Sequence, residues 1–332
     1  MFRTHRPIRL ALAAIIAFAV STSARAADGK GDVFTDAAKA GPDYAIQGEY
    51  QGKVGENEQK VGAQVIALGD GKFHAVFYHG GLPGDGWSRD ETKVEADGKT
   101  EGDQTKFEKD GKSAVIKGGK MSLIHEGGEV VGTLEKVERK SPTLGAKAPD
   151  GAKVLFGKAG DEANWNGGKA TDDGLLRVGS DTKEKFGDCT LHIEFRTPFQ
   201  PKAGGQGRGN SGVYLNSMYE LQVLDSFGLS GENNECGGFY SIKEPSVNMC
   251  FPPLAWQTYD IEFTAAKYEG DKKVKNARVT VKHNGVTIHD DLELPRGTPG
   301  RIGEGPGPAP LFFQDHGNPV VYRNVWIVEK KG

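Results

Sequence analysis

The sequence has no strong imbalance of charge. Lys and Arg total 42 against 45 Asp and Glu, giving a formal charge of −3 and a pI near 6.3. That balance gives no reason to expect nucleic acid or an anionic membrane as partner. The apolar run Leu10–Val20 is too short to span a bilayer, and the rest of the chain has none long enough. Long helical patterns are scarce, whereas glycine is abundant at 48 residues, which suits a turn-rich all-β protein. Aromatic residues and alternating apolar runs throughout the chain argue against disorder. Cysteine is limited to three residues, Cys189, Cys236 and Cys250.

At 332 residues the chain is long enough for two domains with cores of their own. Arg3, Arg6 and Arg9 precede the apolar run Leu10–Val20, and Ala24-Arg25-Ala26 offers a small-x-small cleavage site. This pattern predicts a secretory signal peptide over residues 1–26 and a secreted or periplasmic product, free of the membrane once the signal is removed. In an oxidising compartment Cys236 and Cys250 can close the Gly-Gly and Pro-containing loop between them as a disulfide. A loop of that size contributes about 3 kcal/mol in the chain-entropy view. Cys189 keeps register with Leu191, Ile193 and Phe195, the pattern of a buried thiol.

Residues 27–45 are polar and small and read as a leader. Short alternating runs then follow over 46–138, among them Val61–Leu68, Phe73–Tyr78 and Val130–Val137. Gly-Asp-Gly, Asp-Gly and Gly-Gly separate them, the residues that tight hairpins need. This predicts a small β-meander domain, with no active-site pattern of its own. Trp87, after a Gly-rich loop, reads as a buried anchor in preference to a sugar platform. Prolines at 142 and 149 mark a linker over 139–151, and a second β domain occupies 152–332.

In that second domain Thr190–Arg196 alternates, sending Leu191, Ile193 and Phe195 to the core and His192, Glu194 and Arg196 to the opposite face. Glu194 and Arg196 read equally as a structural brace or a substrate clamp. In Tyr219–Val223 the same alternation puts Glu220 and Gln222 on one polar face. Asp225 joins them only through a bulge or an early strand end. Phe312, Gln314 and His316 alternate with Phe313 and Asp315, which predicts Gln314 and His316 on one face.

Several pieces now form an ordered set. Asn210-Ser211-Gly212-Val213-Tyr214, Tyr219-Glu220-Leu221-Gln222-Val223-Leu224-Asp225, Glu194-Phe195-Arg196, Trp256–Asp260, Asn284-Gly285-Val286, Gln314–Gly317 and Tyr322–Val325 resemble the 3-keto-disaccharide hydrolase domain family, over roughly half the chain. The resemblance implies an all-β fold, a C-terminal concanavalin-like jelly-roll sandwich preceded by the small N-terminal domain. It also implies activity on sugars with a ketone at carbon 3. Such a sugar has an acidic hydrogen at C2. A base removes it, the C1 substituent leaves by elimination, and water addition completes net hydrolysis.

Glu220 and His316 are the base candidates, with Glu194, Arg196, Asn210, Gln222 and Gln314 as substrate contacts. Glu220, Gln222 and Asp225 form a candidate oxygen-rich site for a divalent cation, Ca, Mn or Mg. Two other readings stand beside this one. A non-catalytic carbohydrate-binding protein needs only the polar face. A retaining glucanase needs two carboxylates about 5–5.5 Å apart, and the Glu-x-Gln-x-x-Asp row departs from the Glu-x-Asp-x-x-Glu signature of that class.

Overall fold

A computed structural model describes residues 31–330, so the expected signal peptide lies outside the described residues. Eight antiparallel strands run in sequence from Gly48–Val54 to Val130–Val137 and close into a barrel. Closure pairs the first strand with the last, in register from Glu49↔Val137 to Val54↔Gly132. The tight turns rest on Asp-Gly pairs. Asp70 and Gly71 both take positive φ, 55° and 69°, as a two-residue hairpin turn requires. Interior side chains alternate with outward-facing ones along the strands, so Tyr50, Val65, Phe73, Phe107, Met121 and Leu134 fill the barrel.

The second domain is a sandwich of two antiparallel sheets, one of seven strands and one of five. The larger sheet includes Cys189–Arg196, Gln257–Thr264, Ala277–His283 and Val321–Glu329; the smaller includes Ser180–Phe186, Ser211–Leu215, Tyr219–Val223 and Ala309–Phe313. Between them lie Leu191, Ile193 and Phe195 from one sheet against Val213, Leu221 and Phe313 from the other. Cys189 is buried in the same core as a free thiol. The alternation read from the sequence is therefore the alternation of a two-layer fold.

Two segments read as spacers are built into the structure. The polar leader contains a short helix, Gly41–Ile46, with proline in its first turn. Phe34 exchanges both backbone hydrogen bonds with Phe199, at 2.9 Å each, and Tyr44 stacks edge-on against Phe199. Sparse aromatics inside a polar stretch supplied these anchors. The linker, in turn, crosses the outer face of the seven-stranded sheet. Ser141 Oγ meets Thr258 Oγ1 at 2.6 Å, Thr143 Oγ1 donates to Asp260 at 2.6 Å, and Ala146 O accepts from Asn324 and Trp326. The barrel itself sends Ile66, Val76 and Tyr78 into the sandwich core. Trp87 packs edge-on against Tyr78, with ring centroids 4.9 Å apart.

Candidate active site on the five-stranded sheet

The hairpin that carries the polar row is fixed by its turn. Asn216 and Ser217 both take positive φ, 54° and 53°, which Asn tolerates better than most residues. Asn216 Oδ1 accepts from Ala309 N and Ser217 Oγ donates to Pro310 O, each at 2.8 Å. The turn is thereby tied to the neighbouring strand, and the register of all three strands follows. Gln222 lies across from Gly212, and Gln314 N donates to Gly212 O at 2.9 Å, forming one rung. Glu220, Tyr214 and Phe312 form the next rung. Since Val213, Leu221 and Phe313 point into the core, these residues occupy the outer face.

Glu220 is 3% exposed. Its carboxylate lies over Gly212, in space that a Cβ there would need. Burial pushes its pKa up to about 7, partly offset by the Tyr214 hydroxyl facing it. Gln314 Nε2 donates to Tyr214 Oη at 3.2 Å. The segment after the Val286–Leu294 strand arches over this rung. Gly300 lies against the Tyr214 hydroxyl, and Arg301 stacks over Phe312, 3.6 Å from the ring centroid, while pairing with Asp181.

Four polar side-chain atoms of this region are buried without a hydrogen-bond partner: Gln222 Oε1, Gln314 Oε1, Asn210 Oδ1 and Arg208 Nη2. Buried polar groups are nearly always satisfied, so these four atoms call for partners from outside the chain, whether water or ligand. Tyr214 was not singled out in the sequence, although its even spacing from Gly212 places it on the same face.

Other expected members lie elsewhere. Asp225 is not on the Glu220 face. The strand ends at Val223, and Asp225 is buried in an ion pair with Arg208, Nε to Oδ2 2.6 Å. His316 does not share a strand face with Gln314, because that strand ends at Phe313. Asp315 then caps a turn by accepting from Gly317 N, leaving His316 exposed on the loop. Asn210 closes its own loop by donating to Gln206, while its backbone N–H donates to Asn318.

Glu194 and Arg196 lie on the opposite side of the sandwich. Glu194 accepts from Arg323 Nε at 2.7 Å, Asn324 Nδ2 at 2.8 Å and Gly145 N at 2.5 Å. Burial alone would raise its pKa, but hydrogen bonds from His192, Asn324, Arg323 and Gly145 hold it at about 2. It is a brace that fastens the 139–151 segment to the sheet. His192 belongs to the same brace, bonded to Asp260 at 2.6 Å and stacked on Trp326. Arg196 packs over Trp256 and borders a cavity of about 1050 Å³, with Asp36, Arg177 and Asp315. That cavity has mixed charge and holds none of the four orphaned atoms.

The expected cation site fails a test of fit. Asp225 is neutralised by Arg208, whose positive charge repels a cation at that carboxylate. Glu220 and Gln222 remain as only two of the three proposed ligands. Among the described residues no three His, Cys, Asp or Glu side chains converge as a metal site. The expected Cys236–Cys250 bridge is also absent. Both are neighbouring buried free thiols, with Cys236 Sγ 3.2 Å from Tyr259 Oη and Cys250 Sγ donating to Leu224 O at 3.5 Å.

A family model described as a 3-keto-alpha-glucoside-1,2-lyase-like domain matches residues 151–328. Among solved structures, a candidate glycosyl hydrolase from Parabacteroides distasonis is 33% identical, covering 55% of this chain and 85% of that one with a TM-score of 0.50. A second from the same organism is 19% identical, covering 55% and 95% with a TM-score of 0.38. No curated protein matches the chain. The family match spans the whole sandwich, including both rungs around Glu220, and the chain belongs to the 3-keto-alpha-glucoside-1,2-lyase-like domain family.

Proposed function

We propose that the protein cleaves glycosides whose sugar carries a ketone at carbon 3, with Glu220 as the base. The observation that carries this reading is the raised pKa of Glu220, about 7, on a face that also holds orphaned amide oxygens. A carboxylate with a pKa near neutrality is a stronger base than an ordinary one, and about half of it is ionised at neutral pH. Removing the C2 hydrogen leaves its electron pair shared between C2 and the C3 oxygen. That pair then forms the C1–C2 double bond as the C1–O bond breaks, and the leaving oxygen takes a proton. Water adds at C1 and a proton returns to C2, so the balance is hydrolysis. Gln222 and Gln314 orient the sugar through their amides.

The family description favours this elimination, and the similarity to a candidate glycosyl hydrolase supports a sugar substrate. Ordinary glucanase chemistry loses its second carboxylate, because Asp225 is held by Arg208. We read the segment over residues 1–26 as an export signal, so the enzyme meets its substrate outside the cytoplasm. Reaction of a 3-keto-glucoside in D₂O tests the mechanism. Elimination and hydration place deuterium at C2 of the released sugar. Direct hydrolysis leaves hydrogen there, and a protein that only binds gives no product.

A further inference from the structure

The N-terminal barrel is not filled along its whole length. One end is plugged by Tyr50, Phe73, Met121 and Phe199, the last delivered by the sandwich domain. Toward the other end the lumen keeps a cavity of about 370 Å³. Its walls come from all the way round the barrel, Val61, Phe77, Val94, Phe107, Ala114 and Leu123 among them. Small side chains leave this space, since Ala96 and Ala114 occupy interior positions where larger residues would close it. An eight-stranded barrel is wide enough to be packed solid or to hold one small ligand. The cavity has the size typical of ligand sites, and a solid core would show no comparable void.

The rim differs from the walls. Lys109 and Lys112 face each other across the hairpin and have no ion-pair partner among the described residues. His79 and His125 stand nearby, with Asp110 as the acidic member of the lining and Glu126 packed by Gly111. The lining thus carries two fixed positive charges against one negative. We propose that the barrel lumen binds a small, mostly apolar molecule with one anionic end, such as a medium-chain carboxylate. Its apolar part fills the space between Val61, Phe107 and Leu123, and its carboxylate stays at the mouth beside Lys109 and Lys112. This site is separate from the Glu220 rungs and does not depend on the chemistry assigned there.

Calorimetric titration of the mature chain with octanoate, and separately with octanol, tests the proposal. Octanoate is expected to bind at one site per chain, and octanol more weakly. Ala114→Phe, which fills the lumen, should weaken octanoate by at least about tenfold, with the circular dichroism spectrum unchanged. Should that variant misfold, the surface double variant Lys109→Glu with Lys112→Glu gives an independent reading: weaker octanoate, unaltered octanol. Absence of saturable binding by either compound overturns the proposal. So does octanoate binding that is indifferent to both variants. Equal binding of octanoate and octanol overturns the anionic end.

Discussion

The carboxylate of Glu220 occupies the space above the α-carbon of Gly212, its neighbour on the adjacent strand. Any side chain at 212 would compete for that volume. Gly212→Ala should therefore displace Glu220 while leaving the hairpin intact, because the turn at Asn216 and Ser217 fixes the register. We expect turnover of a 3-keto-glucoside to fall by about a hundredfold, the scale of an ångström's misplacement of a catalytic group. Steady-state kinetics alongside a thermal melt will separate this from unfolding.

The raised pKa of Glu220 predicts two opposite pH trends. As a base it works ionised, so kcat/KM should fall as pH drops below about 7. Stability runs the other way. The group's ordinary value is 4.5, so between 4.5 and 7 the folded state holds a proton that the unfolded chain releases. Its contribution is complete below pH 4.5 and is lost as pH rises through 7. Parallel pH profiles of rate and of urea stability will check this, and both features should vanish in Glu220→Gln.

Asp225 should matter for folding more than for chemistry. Arg208→Met or Asp225→Asn alone leaves one charge buried without its partner, and each should cost about 3–5 kcal/mol of stability. Replacing both together, by Met and Leu, should recover most of that loss. Urea unfolding of the three variants measures it. A neutral Asp225→Asn that nonetheless abolishes turnover would return Asp225 to the site.

Period-two alternation made Glu220 and Gln222 legible, because a short strand needs only local spacing to declare its faces. Glu194 was equally legible as an outward residue. Which of two outer faces it occupied was not, since sheet membership depends on partners such as Val321–Glu329, far along the chain. Asp225 was misplaced because its partner, Arg208, lies seventeen residues upstream and no strand connects them. His316 was misplaced by extending alternation past Phe313, where Asp315 turns the chain. The first half read as a meander, but its closure into a barrel hinges on Glu49 meeting Val137. No local pattern encodes that pairing.

The contact between Cys236 and Cys250 makes them the pair that oxidises together. Mild oxidant should remove two of the three free thiols, with peptide mapping showing Cys236 joined to Cys250. Cys189 should stay unreacted, since it is buried in the sandwich core with its thiol pushed up to about 12 by burial. A bridge containing Cys189 would contradict the fold.

Comparing the wild type with Glu220→Gln on a 3-keto-glucoside and on its parent glucoside tests the central claim most directly. The wild type should cleave the keto sugar and leave the parent untouched, because only the ketone makes the C2 hydrogen removable. Glu220→Gln is nearly isosteric but not basic, and it should lose about a hundred- to ten-thousand-fold in rate with an unchanged spectrum. Near-normal turnover by Glu220→Gln, or equal cleavage of the parent glucoside, would contradict the account.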